Sequence, residues 1–426
     1  MSQRFYVETL GCPKNDVDSD KLIGALRADG YERTHEAGSA DIVVVNTCAF
    51  IEEARRESID TILALDELRR DGSRLVVTGC MAERYGAELA AELPEVDQVA
   101  GFGASFTPER RPDRPLIPVS TAPLPDFDLL NLPRPPATAP WAYVKIAEGC
   151  DRSCGFCAIP SFRGPQRSRD VASIVAEVEQ LAAREIVLVA QDLASYGKDR
   201  PDELGAGSIV PLVEAVAAQV ERVRLLYLYP SDLTDELVEL ICGSRVPYFD
   251  LSLQHVSKPL LRRMRRWGDG DRFLSRIADI RARQPEAAFR SNFIVGYPGE
   301  TEDDHDQLLR FVEEAQLDWC GFFSYSREDG TYAADLDGEV DRSLMDERLH
   351  ELREVQDEIT ASRRDELIGT TVEVLVDSVG VGRSHREAPE IDGIVHVGHN
   401  VAVGRFQDVE IVDALGPDLV AAGAAP

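Results

Sequence analysis

Three short apolar runs near the N-terminus each give way to a cysteine. Asp41-Ile42-Val43-Val44-Val45-Asn46-Thr47 runs straight into Cys48, and Arg74-Leu75-Val76-Val77-Thr78-Gly79 into Cys80. The first run, Arg4 to Leu10, is followed by Gly11 and Cys12. Short apolar, β-branched runs of this kind mark strands buried on both faces of a parallel sheet. Asp97 to Ala100 adds a fourth strand, and helical stretches at 18–29, 51–70 and 83–92 lie between them. The alternation predicts a doubly wound parallel α/β sheet over residues 1–107. In such a sheet the carboxyl ends of the strands share one rim, where ligands bind. One cysteine at a strand end is most simply a core residue. Three at the same position in three strands point to metal, with Cys12, Cys48 and Cys80 converging as ligands. Gly101-Phe102-Gly103 begins like a dinucleotide fingerprint, but Phe106 stands where the third glycine belongs, and that reading is set aside.

A second set is contiguous. Gly149-Cys150-Asp151-Arg152-Ser153-Cys154-Gly155-Phe156-Cys157 places three cysteines at C-x3-C-x2-C spacing. Zinc normally takes four protein ligands, or three and a water, and no fourth Cys or His lies nearby; the next histidine downstream is His255. A thioredoxin-like pair at Cys154 and Cys157 leaves Cys150 unexplained. Ferredoxin cubanes use four cysteines per cluster. Three thiolates suit a four-iron cluster with one iron open to substrate.

Ten prolines between 108 and 140 block regular structure and mark a semi-extended linker. A second α/β domain occupies 141–366, with strands at 141–147, 185–190, 223–228, 248–253, 289–295 and 319–324. Helices such as 169–183, 208–220, 232–242, 257–266 and 302–315 separate them. Six βα units predict a partial, open TIM-like barrel whose site lies at the strand carboxyl ends. The Cys150–Cys157 loop follows the first strand; Gln191 and Asp192, Gln254 and His255, and Gly296 to Glu300 follow later ones. Residues 341–366 read as one amphipathic helix with Leu344, Leu349, Leu352, Val355 and Ile359 on its apolar face. From 367 to 426 alternating strands (371–377, 391–397, 408–412) predict a small all-β barrel, with a mobile tail from Ala421. Cys242 and Cys320 fall outside both triads and are assigned to core packing.

The formal charge is −30, from 46 basic and 76 acidic residues. A polyanion such as tRNA is repelled by that field, and a basic protein is drawn in; a solubility or salt-tolerance adaptation is the blander account. No apolar run is long enough to span a membrane and no signal-peptide core opens the chain, so a cytoplasmic protein is expected. Arg163, Arg167 and Arg169 make a local basic run, either a contact for an anionic group or a solvated helix start with ion pairs.

The C-x3-C-x2-C loop, with Phe156 before its last cysteine, resembles the radical S-adenosylmethionine (SAM) signature. Almost the whole chain resembles the methylthiotransferase family. The matching stretches are Leu10-Gly11-Cys12-Pro13-Lys14-Asn15 with Val17-Asp18-Ser19, Asn46-Thr47-Cys48 and Thr78-Gly79-Cys80. Lys145 to Cys150, Phe156 to Pro160, Arg163-Gly164, Leu228-Tyr229-Pro230, Leu253-Gln254-His255 and Asn292 to Gly296 continue the match. Ser252 departs from it, standing where proline is expected.

The resemblance implies three modules: a cluster-bearing N-terminal domain, a radical SAM barrel and a C-terminal TRAM barrel. It implies two 4Fe-4S clusters, a SAM-cleaving one on Cys150, Cys154 and Cys157 and an auxiliary, sulfur-carrying one on Cys12, Cys48 and Cys80. SAM then serves as methyl donor and radical source, with Phe156, Gln191 and Gly296 as SAM contacts. Within the family the resemblance favours the branch that methylthiolates the β-carbon of an aspartate in ribosomal small-subunit protein twelve, aided by an electron donor and a sulfur source. The alternatives are the branch modifying C2 of a tRNA adenosine and a non-catalytic iron–sulfur or RNA-binding module. From Leu367 onward three arginines face nine carboxylates, which suits a basic protein better than tRNA.

Overall fold

The computed structural model describes residues 3–102, 129–203 and 207–424. Its first unit is built from β1 (Arg4–Thr9), α1 (Pro13–Ala28), β2 (Glu32–Arg33), β3 (Ile42–Thr47), α2 (Glu52–Leu68), β4 (Arg74–Gly79), α3 (Cys80–Glu92) and β5 (Gln98–Val99). The strands are all parallel, in the order β2-β1-β3-β4-β5. Every residue of the central β3 is buried, because alternate side chains feed two cores. Val43, Val45, Leu75 and Val77 pack with Ile62, Leu65 and Leu89 on one face; Val44, Val76, Phe5 and Val7 pack with Leu22, Ile23 and Leu26 on the other. α1 starts at Pro13, five residues before the helical pattern becomes visible. Proline's fixed φ is pre-organised for a first helical turn, and Cys12 caps it in extended conformation (φ −119°, ψ 165°).

β6 (Trp141–Lys145) opens the second unit. β7 (Ala147–Glu148) pairs antiparallel with β8 (Arg167–Ser168), enclosing the cysteine loop and the short α4 (Ile159–Arg163). There follow α5 (Val171–Leu181), β9 (Glu185–Val189), α6 (Val210–Ala217), β10 (Arg222–Leu225), α7 (Asp235–Cys242), β11 (Tyr248–Gln254), α8 (Lys258–Arg263) and α9 (Gly270–Arg283). The unit ends with β12 (Ala288–Val295), α10 (Glu302–Ala315), β13 (Trp319–Ser324) and α11 (Arg342–Asp365). Two three-stranded parallel sheets, β6-β9-β10 and β11-β12-β13, are joined by a parallel bridge from Leu228 to Leu251. The result is a six-stranded open barrel in sequence order, with helices packed on its outer face.

The last unit is a closed barrel of β14 (Thr371–Ser378), β15 (Val381–Arg383), β16 (Val395–His396), β17 (Phe406–Leu415) and β18 (Asp418–Ala421) around Val374, Val376, Val395, Ile411 and Leu419. The expected mobile tail is corrected at its start: Ala421 pairs with Ile411 and is 1% exposed.

Both neighbours plug the open barrel. Its lumen is filled by Tyr143, Val187, Val189, Leu226, Tyr248 and Trp319, and this cluster takes in Val17 from α1 and Ala388 from the last unit. Tyr143 and Trp319 donate to the Pro389 and Arg386 carbonyls at 3.0 and 2.7 Å. The linker is also corrected in part. Residues 108–128 lie outside the described residues, but Leu129–Asn131 forms a 3-10 turn with Leu129 and Leu130 buried, and buried Arg134 pairs with Asp20 and Glu177. Among the described residues no helix is long and apolar enough to cross a membrane.

Candidate metal centres at the facing rims

The register of β1, β3 and β4 sets Thr9 beside Asn46 and Thr47 beside Gly79, so Cys12, Cys48 and Cys80 leave adjacent strand ends. Two asparagines fix this rim. Asn15 donates to the carbonyls of Leu10 (2.8 Å) and Thr47 (3.1 Å), and Asn46 donates to the Asn15 carbonyl and to Ser19 Oγ, both at 2.9 Å. Cys48 N–H donates to Ser58 Oγ at 3.1 Å. All three thiols are free of disulfides. Burial pushes Cys48 up to about 12, helped by Cys80 and Cys12 nearby, and raises Cys80 against the pull of Arg163.

The second triad is held by the chain folding back on itself. Cys150 N–H donates to the Gly164 carbonyl (3.1 Å), Cys157 N–H to the Cys154 carbonyl (3.2 Å), and Gly155 N–H to the Met264 carbonyl (2.8 Å). Gly149 has φ +80°, and a Cβ there would lie 2.1 Å from the Pro165 carbonyl oxygen, so only glycine admits this approach. Burial, with the neighbouring thiols adding, lifts Cys150 to about 11 and Cys157 to about 12.

An arginine serves each set. Arg163 Nη2 donates to Cys80 Sγ at 3.0 Å, and Arg266 Nη1 to Cys154 Sγ at 3.3 Å. Such N–H donors stabilise anionic sulfur, the form that binds metal. Among the described residues no group of three His, Cys, Asp or Glu is arranged to hold a single ion. Unpaired thiols gathered in threes, each set with a cationic N–H donor, suit an iron–sulfur group.

The two rims meet at Arg163. This guanidinium, buried against the Phe102 ring, also donates to Asn15 Oδ1 (3.0 Å), to Asp18 (3.2 Å) and to both Glu148 oxygens (3.0 and 3.1 Å). Lys145 joins Asp18 to Glu148. Burial opposes ionisation of Glu148, yet Arg163 and Lys145 hold its carboxyl at about 2. Arg55 and Arg84 of the first unit also reach Glu328 of the barrel.

All three expected SAM contacts stand at the carboxyl ends of barrel strands. Gln191 donates to Glu148 Oε1 (2.7 Å), Phe156 packs half-buried on the barrel core, and Gly296 N–H donates to Glu300 Oε2 (2.6 Å). For Arg163 and Arg169 the ion pairs of the helix-start account are present, but the solvation is not. Both are buried, and Arg169 pairs with Glu177 at 2.7 Å. Arg167 lies in β8. His255 is fully buried, accepts from Ser257 N–H at 3.0 Å, and is pushed by burial down to about 3. Cys242 and Cys320 pack against the barrel core, away from both triads. Sequence reasoning missed Arg152 and Arg266, which sandwich the Tyr229 ring at 3.8 and 4.2 Å; the pairing joins loops far apart in the chain.

Fold and thiols together define a radical SAM enzyme with an added cysteine-bearing sheet domain and a C-terminal β barrel. Family profiles match in the same order: "Uncharacterized protein family UPF0004" over residues 4–101, "Radical SAM superfamily" over 144–312 and "TRAM domain" over 368–423. The ribosomal protein uS12 methylthiotransferase RimO of Streptomyces coelicolor is 42% identical over 99% of this chain and 96% of its own length. That of Cutibacterium acnes is 41% identical over 98% and 97%. The chain belongs to the RimO family of radical SAM methylthiotransferases. Among solved structures, the radical SAM methyltransferase TsrM of Kitasatospora setae, with cobalamin and a 4Fe-4S cluster bound, is similar at TM-score 0.45 and 14% identity, over 89% of this chain and 80% of that one.

Proposed function

We propose that this chain replaces a hydrogen on the β-carbon of an aspartate of ribosomal protein uS12 with a methylthio group. Cys150, Cys154 and Cys157 hold one 4Fe-4S cluster, and Cys12, Cys48 and Cys80 a second. SAM binds at the barrel rim beside Phe156, Gln191 and Gly296. When bound, these groups supply the methyl group, the sulfur and the one-electron chemistry that a C–H bond beside a carboxylate requires, since no side-chain base removes that hydrogen usefully near pH 7.

The chain's own residues hold and shield. Arg163 and Arg266 place cationic N–H donors on the sulfurs of Cys80 and Cys154. Asn15 and Asn46 keep the first rim in register, and Gly149 lets the second loop close. The apolar plug of Val17, Tyr143, Leu226 and Tyr248 keeps water from rising through the lumen. A cytoplasmic setting accords with eight cysteines and no disulfide between them. The observation that carries the reading is two thiol triads tied through the buried Arg163, in a chain 42% identical to a uS12 methylthiotransferase.

Charge weighs against the tRNA-modifying alternative. Residues 367–426 carry three arginines and nine carboxylates. Arg383 and Arg386 are buried in ion pairs, which leaves Arg405 exposed. A tRNA grip needs a basic face. The test is anaerobic incubation of reconstituted enzyme, SAM and reductant with uS12 and with tRNA, followed by mass spectrometry. A methylthio-aspartate in uS12 is expected; a modified tRNA beside untouched uS12 overturns the choice of substrate.

A further inference from the structure

The chain has five lysines among 76 acidic residues. Four have carboxylate partners: Lys21 with Glu177, Lys145 with Asp18 and Glu148, Lys198 with Asp232, and Lys258 with Asp269. Among the described residues Lys14 makes no ion pair. It is half-buried, and its ammonium lies 3.8 Å from the centroid of the Tyr227 ring.

The place is specific. Lys14 stands two residues after Cys12, in the first turn of α1, where the sheet domain meets the barrel mouth. The ring beneath it belongs to a residue in the left-handed region, φ +63°, just beyond β10. A non-glycine residue there is strained, and such strain persists where the surroundings over-determine it, often at functional sites. Here Tyr227 N–H donates to buried Asp250 at 2.9 Å, which fixes the turn and sets the ring under the lysine. The nearby acid Asp18 is taken up by Lys145 and Arg163. Other rim cations are engaged: Arg152 by Asp192 and Asp232, Arg163 by Asp18 and Glu148, and Arg266 by Cys154 Sγ and the Ser252 carbonyl.

We propose that Lys14 is the receptor for the carboxylate of the substrate aspartate, and so sets the choice of an anionic side chain over a neutral one. The assignment rests on the proposed uS12 reaction. An ammonium on an aromatic face is oriented by the ring while its three donors stay available. A carboxylate arriving beside Cys12 completes a charge-assisted hydrogen bond that no described residue supplies. It also orients the neighbouring β-carbon toward the first thiol rim. Arg265, exposed over the Tyr332 ring at 3.7 Å, is the competing cation.

The test uses the full-length reconstituted enzyme and two uS12 peptides, one with the target aspartate and one with asparagine in its place. Binding is read directly by calorimetry without reductant, so turnover does not enter. Wild type is expected to prefer the aspartate peptide by about ten- to a hundredfold, the range of a hydrogen bond to a charged group. Lys14→Met weakens the aspartate peptide by that factor and leaves the asparagine peptide unchanged; Lys14→Arg keeps most of the preference, and Arg265→Met keeps all of it. Unchanged iron content and melting temperature in Lys14→Met separate a lost contact from a lost fold. If Lys14→Met weakens both peptides equally or neither, or if Arg265→Met erases the preference, the assignment is overturned. If wild type binds the aspartate peptide no better than the asparagine one, it is overturned too. Wild type that binds neither peptide and leaves uS12 unmodified sinks the reading of function itself.

Discussion

Arg163 donates from Nη2 to Cys80 Sγ across 3.0 Å, while Nη1 of the same guanidinium grips Glu148, two residues before Cys150. One buried cation thus ties a thiol of the first rim to the loop that carries the second. With Asp18 it also fastens α1 to the barrel. The bonds are charge-assisted and largely desolvated, and removing one partner leaves buried charge uncompensated, at about 3–5 kcal/mol.

Arg163→Gln is therefore expected to loosen the sheet domain from the barrel. Lys145 alone then faces Asp18 and Glu148. Hydrogen exchange in α1 and α4 should accelerate by roughly a hundredfold, the equivalent of about 3 kcal/mol. Arg163→Lys should recover only part, because an ammonium cannot span sulfur, amide and two carboxylates as a planar fork does. Exchange at wild-type rates in the glutamine variant would show that the junction does not depend on this residue.

Gly149→Ala addresses the second rim alone. The added Cβ would lie 2.1 Å from the Pro165 carbonyl and 2.6 Å from that of Gly164, the acceptor for Cys150 N–H. Neither is a flexible side chain, so the β7–β8 ribbon must open and Cys150 must move. On the proposed two-cluster reading, reconstituted protein is expected to hold about half the wild-type iron. Iron assay and electron paramagnetic resonance read the loss, and a full complement in this variant would remove the steric argument.

Much of this was legible in the sequence, for physical reasons that differ from element to element. β3 announces itself because a strand buried on both faces needs β-branched residues at every position, and Ile42 to Val45 supply them locally. The cysteine rims follow from topology once the strands are parallel. Arg163 was not legible, because its partners Asp18, Cys80 and Glu148 lie 145, 83 and 15 residues away and only the docked domains unite them. The start of α1 was hidden by Pro13-Lys14-Asn15-Asp16, which has no apolar periodicity and is helical because proline suits a first turn. The packed end of the linker was hidden for the opposite reason. Proline excludes regular structure but not burial, and Leu129, Leu130 and Arg134 are buried all the same.

The junction between the barrel and the last unit should respond to acid in two stages. Burial opposes ionisation of Glu185, but Arg383, Arg224 and Arg222 hold it at about 2; burial likewise opposes ionisation of Glu387, which Arg364 and Ser384 hold at about 2. Both lie below the ordinary 4.5, so their stabilisation is complete above pH 4.5 and drains away as pH falls toward 2. Asp392 works the other way. Burial lifts it to about 6 despite Arg290, so protonation on descending from neutral pH through 6 adds stability. Docking should be firmest near about pH 5 and fail below about 4. Fluorescence of Trp319, bonded to the Arg386 carbonyl, reports it. Glu185→Gln should lose about 3 kcal/mol already at neutral pH and show a shallower acid limb. An acid limb as steep as wild type would assign the transition to other carboxyls.

On the proposed reading six of the eight cysteines ligate and two pack, and the division is testable because the two kinds fail differently. Cys242 and Cys320 lie against the barrel core among apolar neighbours. Replacing both with alanine removes a small volume from packed regions, about 1–2 kcal/mol in all, and leaves every rim sulfur and its N–H donor in place. The double variant should therefore bind iron in full, with a lowered melting temperature. Alanine at Cys12, Cys48 or Cys80 leaves the barrel loop intact and should halve the iron, while SAM cleavage persists without transfer of sulfur. Alanine at Cys150, Cys154 or Cys157 should also halve the iron but abolish SAM cleavage. The two half-loaded states thus carry the same metal and opposite activities. Equal loss of SAM cleavage from both sets would mean that the rims form one centre rather than two.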